Sequence, residues 1–351
     1  MGDASAGDAR MRAAFETQAG WCAQLGSPFT ASVLRAAVAG DWDGPVAGLI
    51  GGWHGDPTAD MVALRLAGAL HALVLSGTEP GLAAVYPPHP PPDAAGLRGA
   101  VRAALARHQE FLARFIAAPP QTNEVARSGA LLGGFLDIAA ATGLPMRLLE
   151  IGASGGLNLL WDRFFYRLGA GAWGDAASPV QLAPVWRGGL PKLDAPVRVA
   201  GRTGCDLAPV DVLDETNCLR LRSFVWADQA ERLARLDGAI AIARPAGVAV
   251  ARSNATDFLA RELAAARDGE VTVVYHSIMW HYVSAADQQA LTEIIMRAAA
   301  RATDAAPLAW LRFEIEDFGQ QPVVRLTLWP GGASRRLAVA HPHGAWVEWL
   351  G

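Results

Sequence analysis

Apolar positions change period once along this chain, near residue 145, and that change divides it in two. From residue 9 to residue 143 apolar side chains recur at helical spacing and strand signal is almost absent. In the stretch 59–71 and just beyond it, Leu66, Leu70 and Leu73 fall at i, i+4 and i+7, one face of an amphipathic helix. Residues 97–116 predict another helix, with Arg98, Arg102, Arg107 and Arg114 spread around its solvated side. The proline run at 86–93 cannot continue a helix and predicts a polyproline-type connector. Residues 41–56, rich in Gly and Trp, predict loop or very short helix.

Beyond Pro145 short apolar runs alternate with helical stretches. Strands are expected at 146–151, 197–200, 248–251, 271–276, 308–315, 323–329 and 336–340, and helices at 156–166, 225–243, 256–267 and 285–302. This alternation predicts an α/β fold with a mostly parallel, doubly wound sheet of about seven strands. The short Gly-bearing link 330–334 makes the last two strands an antiparallel hairpin. The expected organisation is a helical N-terminal domain at 1–145 and an α/β domain at 146–351 with an insertion at 168–196. A pocket is expected between them, at the carboxyl ends of the strands.

Composition narrows the function classes. The 351 residues are 52% hydrophobic and 18% charged, enough apolar content for a sizeable core. A net charge of −4 without a Lys/Arg-dense block argues against a nucleic-acid partner. Cys22, Cys205 and Cys218 are odd in number and widely spaced, which predicts reduced thiols and no metal site. The longest apolar run, 129–145, is interrupted by Asp137, and the N-terminus lacks a signal-peptide profile. A cytoplasmic protein with a small-molecule partner and no membrane partner is expected, its oligomeric state open.

The candidate chemistry centres on residues 150–159, where an apolar strand ends in Glu150 and meets a glycine-rich turn that opens a helix. Such a turn brings backbone N–H groups up to a ligand where glycines carry no Cβ. It departs from the dinucleotide fingerprint, since no acid ends a second strand about twenty residues on. The strand-end acid followed by Gly152-Ala153-Ser154-Gly155-Gly156 resembles the first motif of class I S-adenosylmethionine-dependent methyltransferases. That resemblance implies a Rossmann-like methyltransferase domain over the C-terminal part, binding S-adenosylmethionine. It implies that Glu150 faces the methionine amino group, that Gly152 and Gly156 admit the ligand, and that Ser154 and Asn158 cap and line the turn. Asp206, displaced by the insertion and by residues 201–204, would be the ribose-binding acid, and Asn254 the adenine-edge residue. End to end the chain is also similar to a bacterial family of unknown function. The blocks that carry this are residues 21–28, 64–71, 121–125, 150–159, 204–211 and 276–280.

The segment 272–282 gathers polar and aromatic groups at the end of a buried strand. In methyltransferase-like folds this edge faces the acceptor, so His276 or His281 is a candidate general base and Ser277, Trp280 and Tyr282 candidate walls. Glu314 is a candidate pocket acid. Asn123, Glu124 and Arg127 open a helix just before the first strand and are candidates to reach over the turn. Two other functions stay open. Residues 152–156 spell Gly-x-Ser-x-Gly, a serine hydrolase motif with Ser154 as nucleophile and His341 or His343 as base. A non-catalytic nucleotide-type binding protein is the third.

Overall fold

The computed structural model describes residues 2–40, 44–90, 92–317 and 319–351, residues 2–6 by their backbone alone. In chain order the first helices are α1 (Gly2–Gln24), α2 (Pro28–Val38), α3 (Gly44–Ile50), α4 (Val62–Leu75), α5 (Pro80–Ala83), α6 (Ala94–Arg107), α7 (Gln109–Ile116) and α8 (Arg127–Thr142). Next come β1 (Met146–Ile151), β2 (Phe165–Leu168), β3 (Gly171–Trp173), β4 (Gln181–Leu182), β5 (Val185–Gly188) and β6 (Val199–Asp206). The rest are α9 (Glu215–Ser223), α10 (Ala230–Ala246), β7 (Val250–Arg252), α11 (Ala255–Glu262), β8 (Val271–Ser277), α12 (Ala285–Ala299), β9 (Leu308–Glu314), β10 (Val323–Trp329), β11 (Ala333–Ala340) and β12 (Trp346–Trp349).

These elements form two compact units, 1–122 with 214–234, and 123–213 with 235–351. The first is helical. Leu66, Leu70 and Leu73 are buried on one side of α4, as their spacing requires. The stretch 214–234 belongs here because it fills the helical core. A Cβ on Gly68 would stand 2.6 Å from the Phe224 ring, so glycine lets α4 reach that ring, and His71 Nδ1 donates to Val225 O at 2.9 Å. The helix expected at 97–116 breaks at His108 (φ −115, ψ 28) into α6 and α7. Residues 86–90 form turns rather than an extended connector. The Gly/Trp-rich stretch contributes the short α3, and its residues 41–43, like Pro91, lie outside the described residues.

The second unit is α/β, with a mostly parallel nine-stranded sheet ordered β5-β12-β11-β10-β9-β8-β1-β6-β7. Strands β7, β6, β1, β8 and β9 are parallel neighbours. The chain runs outward from β1 to β6 and β7, then restarts on its other side at β8, so a topological switch point lies between β1 and β8. Strands β10 and β11 form the expected antiparallel hairpin, and β12 and β5 extend that edge. One face is covered by α8, where Gly133 and Gly134 leave room for Trp349 and Leu311. The α11 and α12 side buries Leu149, Ile151, Val274, Leu291, Ile295 and Trp310. Among the described residues no helix is long and apolar enough to cross a membrane.

Three local expectations change. The sheet has nine strands instead of about seven, because β5 and β12 are short and carry too few residues for a clear pattern. The helix expected at 156–166 is a 3-10 helix, Leu157–Arg163, followed by β2, which pairs with β3 and β4 in a small second sheet within the insertion. The strand expected at 197–200 runs on to Asp206, so residues 201–204 are strand rather than a displacement before the acid. Gly204 permits this, since a Cβ there would lie 2.7 Å from Ala153 Cβ and 3.1 Å from Glu150 O.

Candidate functional site

The carboxyl ends of β1, β6 and β8 meet at the switch point, the edge where open α/β sheets bind ligands. Strand alternation decides what faces what. Glu150 and Tyr275 are register partners of β1 and β8 and share a face; His276, the next residue, points to the other. Glu150 is buried, and its one hydrogen-bond partner among the described residues is Tyr275 Oη at 3.4 Å. Burial pushes the Glu150 carboxyl well above the usual carboxylate range; the Tyr275 hydrogen bond and more distant Arg127 oppose the shift, and Asp206 adds to it.

The glycine-rich turn is built from backbone conformations that few residues adopt. Gly152 and Gly156 have φ of 69° and 71°, and Ser154 adopts φ 53°. Across the switch point Ile278 has φ 49°, an unusual conformation for a β-branched residue. The two strained non-glycine residues of this unit thus flank the gap between β1 and β8, as strain at functional sites often does.

The amides of the turn are already used. Ala153 N donates to Cys205 O (3.0 Å), Ser154 N to Asp206 Oδ2 (2.9 Å) and Gly156 N to Ala153 O (2.8 Å). Gly155 N and Leu157 N both donate to Asn123 Oδ1, at 3.2 and 3.1 Å. Asp206 also accepts from Ala208 N, so both its oxygens hold backbone. Asn158 is buried, accepting from Ser128 Oγ (2.7 Å) and donating to Glu124 O (3.2 Å). The Glu124 carboxylate accepts from Ala126 N. Gly152 is exposed at its backbone, and a Cβ there would lie 3.1 Å from Met279 Cγ. The turn is therefore a braced structure, not a row of free donors.

Asn123 and Asp206 both reach the turn and hold its amides. Arg127 ties two segments at this edge, donating to Ser277 O and Pro342 O, each at 3.1 Å. Asn254 makes no hydrogen bond to the turn among the described residues; it is exposed and caps α11, accepting from Asp257 N at 2.7 Å.

His276 and Glu314 form a buried pair. His276 Nδ1 lies 2.7 Å from Glu314 Oε1, and Trp310 Nε1 donates to His276 Nε2 at 3.2 Å. Both ring nitrogens are engaged and the side chain is fully buried, so neither is left to take a substrate proton. Glu314 further accepts from Met279 N and Trp280 N at 3.1 and 3.2 Å. It clamps the loop after β8, with the Trp280 ring stacked on His276. His281 and Tyr282 beyond the clamp are exposed and lie ring to ring, centroids 3.9 Å apart. Although His281 reaches solvent, partial desolvation of its imidazole lowers its pKa; Glu314 opposes this and Arg127 adds to it.

Ser154 is buried, and its Oγ has no hydrogen-bond partner among the described residues, no imidazole of theirs being docked on it. No cluster of three or more metal-ligating side chains occurs among the described residues. Tyr275, Met279, Ile278 and Ser128 are the site residues that sequence reasoning missed. Tyr275 lies inside the segment singled out, but its tie to Glu150 arises from register across two strands 125 positions apart.

The chain matches no curated protein and no solved structure. A family model described as "Uncharacterized protein conserved in bacteria (DUF2332)" matches residues 12–349, nearly the whole chain. The chain belongs to this bacterial family.

Proposed function

We propose that the sheet unit binds S-adenosylmethionine at the carboxyl ends of β1, β6 and β8 and transfers its methyl group to a small molecule. One observation carries this: Glu150, a buried carboxyl beside the switch point, has no cationic partner among the described residues. Ionising a buried acid without a counter-charge is costly, and a cationic ligand relieves that cost. When bound, S-adenosylmethionine supplies a methyl group on a sulfonium, which asks for an acceptor held in line.

The chain's residues divide the work. Glu150 faces the ligand's amino group, and Gly152 leaves its backbone bare beside the flexible Met279 side chain. Ser154, Gly156, Asn158, Asp206 and Asn123 hold the turn in shape. His281, exposed beyond the clamp, takes a proton from the acceptor, while Trp280 and Tyr282 wall it. His276 and Glu314 position that loop. A cytoplasmic location is part of the proposal, supported by the buried thiols of Cys22 and Cys205.

Calorimetry with S-adenosylmethionine and S-adenosylhomocysteine tests it. Saturable binding is expected, weakened at least about tenfold in Glu150→Gln, the loss of one charge-assisted contact. No saturable heat for either compound overturns the proposal. The φ of Ser154 within Gly-x-Ser-x-Gly favours the hydrolase as a second reading. Against it stand the unpartnered Oγ and the Gly155 N–H, the oxyanion donor of such enzymes, which Asn123 occupies. A fluorophosphonate probe is expected to leave Ser154 unlabelled. Cofactor binding without turnover across an acceptor panel would assign the non-catalytic alternative.

A further inference from the structure

Three arginines stand in direct register across three antiparallel strands. Arg325 of β10 pairs with Arg312 of β9 on one side and Arg336 of β11 on the other. Register partners point to one face with Cβ atoms about 4.5–5.5 Å apart, and like charges placed so destabilise a sheet. This face is not the one that α8 covers: Leu311 and Arg335, on the alternate face, meet Gly134 and Asp137 of α8. It is also opposite to the face of Glu150, while its inner end abuts the His276–Glu314 pair, since Arg312 is the register partner of His276.

The charge is poorly balanced. Glu316 holds Arg325 through both oxygens, at 2.5 and 2.8 Å, and with Glu314 is one of two carboxylates that act on Arg312, two acids for three guanidinium groups. Its carboxyl is held below the ordinary range by Arg325 first, with Arg312 and Arg336 contributing. Three other sheet arginines have an acid each: Arg147 with Glu262, Arg202 with Asp162, Arg335 with Asp137. Arg312 lies over the Trp310 ring, 4.1 Å from its centroid, and donates to Thr327 Oγ1 at 3.5 Å, while its buried Nε has no partner among the described residues. Arg336 is exposed and has no ion-pair partner among the described residues. Thr327 and Ser334, register partners on the same face, add two hydroxyls.

We propose that this row is a binding site for a small phosphate-type anion that Arg312, Arg325 and Arg336 share. Planar guanidinium forks match phosphate oxygens, and two strand spacings make the row roughly 10 Å long, room for a diphosphate rather than a single phosphate. A bound dianion offsets the repulsion among the three guanidinium groups.

The test is calorimetry and thermal unfolding of the full chain with inorganic pyrophosphate, with sulfate as a control for ionic strength. Saturable binding and a raised Tm are expected. Arg336→Gln should weaken pyrophosphate at least about tenfold while its ligand-free Tm equals or exceeds that of the wild type. Arg335→Gln, one residue away on the other face, should bind like the wild type. A nucleoside diphosphate identifies the source: tighter binding than pyrophosphate means an ester, equal binding a free diphosphate, and either supports the site. Wild-type affinity in Arg336→Gln, an equal loss in Arg335→Gln, or no more stabilisation by pyrophosphate than by sulfate overturns it.

Discussion

Glu150 and His281 are the two groups at the switch point whose protonation matters most. For Glu150 the folded pKa is raised, so its contribution to stability is complete below the ordinary value of 4.5 and is lost as pH rises through the folded value. Between those limits wild type should lose stability relative to Glu150→Gln by up to about 1.4 kcal/mol per pH unit. Urea unfolding from pH 4.5 upward checks this, and a pH-independent difference between the two proteins contradicts it. For His281 the shift is downward, driven first by burial. Its imidazole should titrate in NMR with a midpoint below 6.5, and a methyl transfer that uses it as base should rise with pH through that midpoint and then level off. His276 has no such freedom, since Glu314 and Trp310 hold both its nitrogens.

At the scale of elements, the turn after β1 is shaped by its neighbours as much as by its own glycines. Asn123 precedes α8 yet satisfies two amides of the turn, so Asn123→Ala leaves Gly155 N and Leu157 N without partners. A loss of about 1–3 kcal/mol in unfolding free energy is expected, with faster hydrogen exchange at those two amides. Strand β6 offers an internal comparison. Gly204→Ala forces a Cβ to 2.7 Å from Ala153 Cβ and should cost about 1–3 kcal/mol. Gly201→Ala, where nothing lies within 4 Å, should be neutral or slightly stabilising. Equal melting temperatures for the two variants would refute the close approach of β6 to the turn.

At the scale of the molecule, both units are discontinuous in sequence, and the helical one borrows residues 214–234 from the middle of the chain. Phe224 fills the space left by Gly68, and Arg220 donates to Phe115 O at 3.2 Å and to Ala118 O at 3.0 Å, just beyond the last turn of α7. Phe224→Ala should therefore destabilise the helical unit by about 3–5 kcal/mol, read as earlier proteolytic cleavage within residues 1–122. A fragment ending at residue 122 should lack cooperative unfolding for the same reason. The apolar period alone puts the division near residue 145. Spatial clustering instead groups α8 with the sheet, since its glycines admit Trp349 and Leu311 from the strands.

Local patterning alone determined the helical character of the first 122 residues, the α/β character of the chain beyond residue 145 and the location of the glycine-rich turn, because period, turn residues and burial are properties of neighbouring positions. The hairpin at 330–332 and the buried face of α4 were legible for that reason. The order of the strands, the two short edge strands and the pairings Glu150–Tyr275, His276–Glu314 and Asn123–Gly155 were decided only by tertiary structure. Each joins residues far apart in the chain, and which face or amide they share depends on register, which a single strand's pattern does not encode.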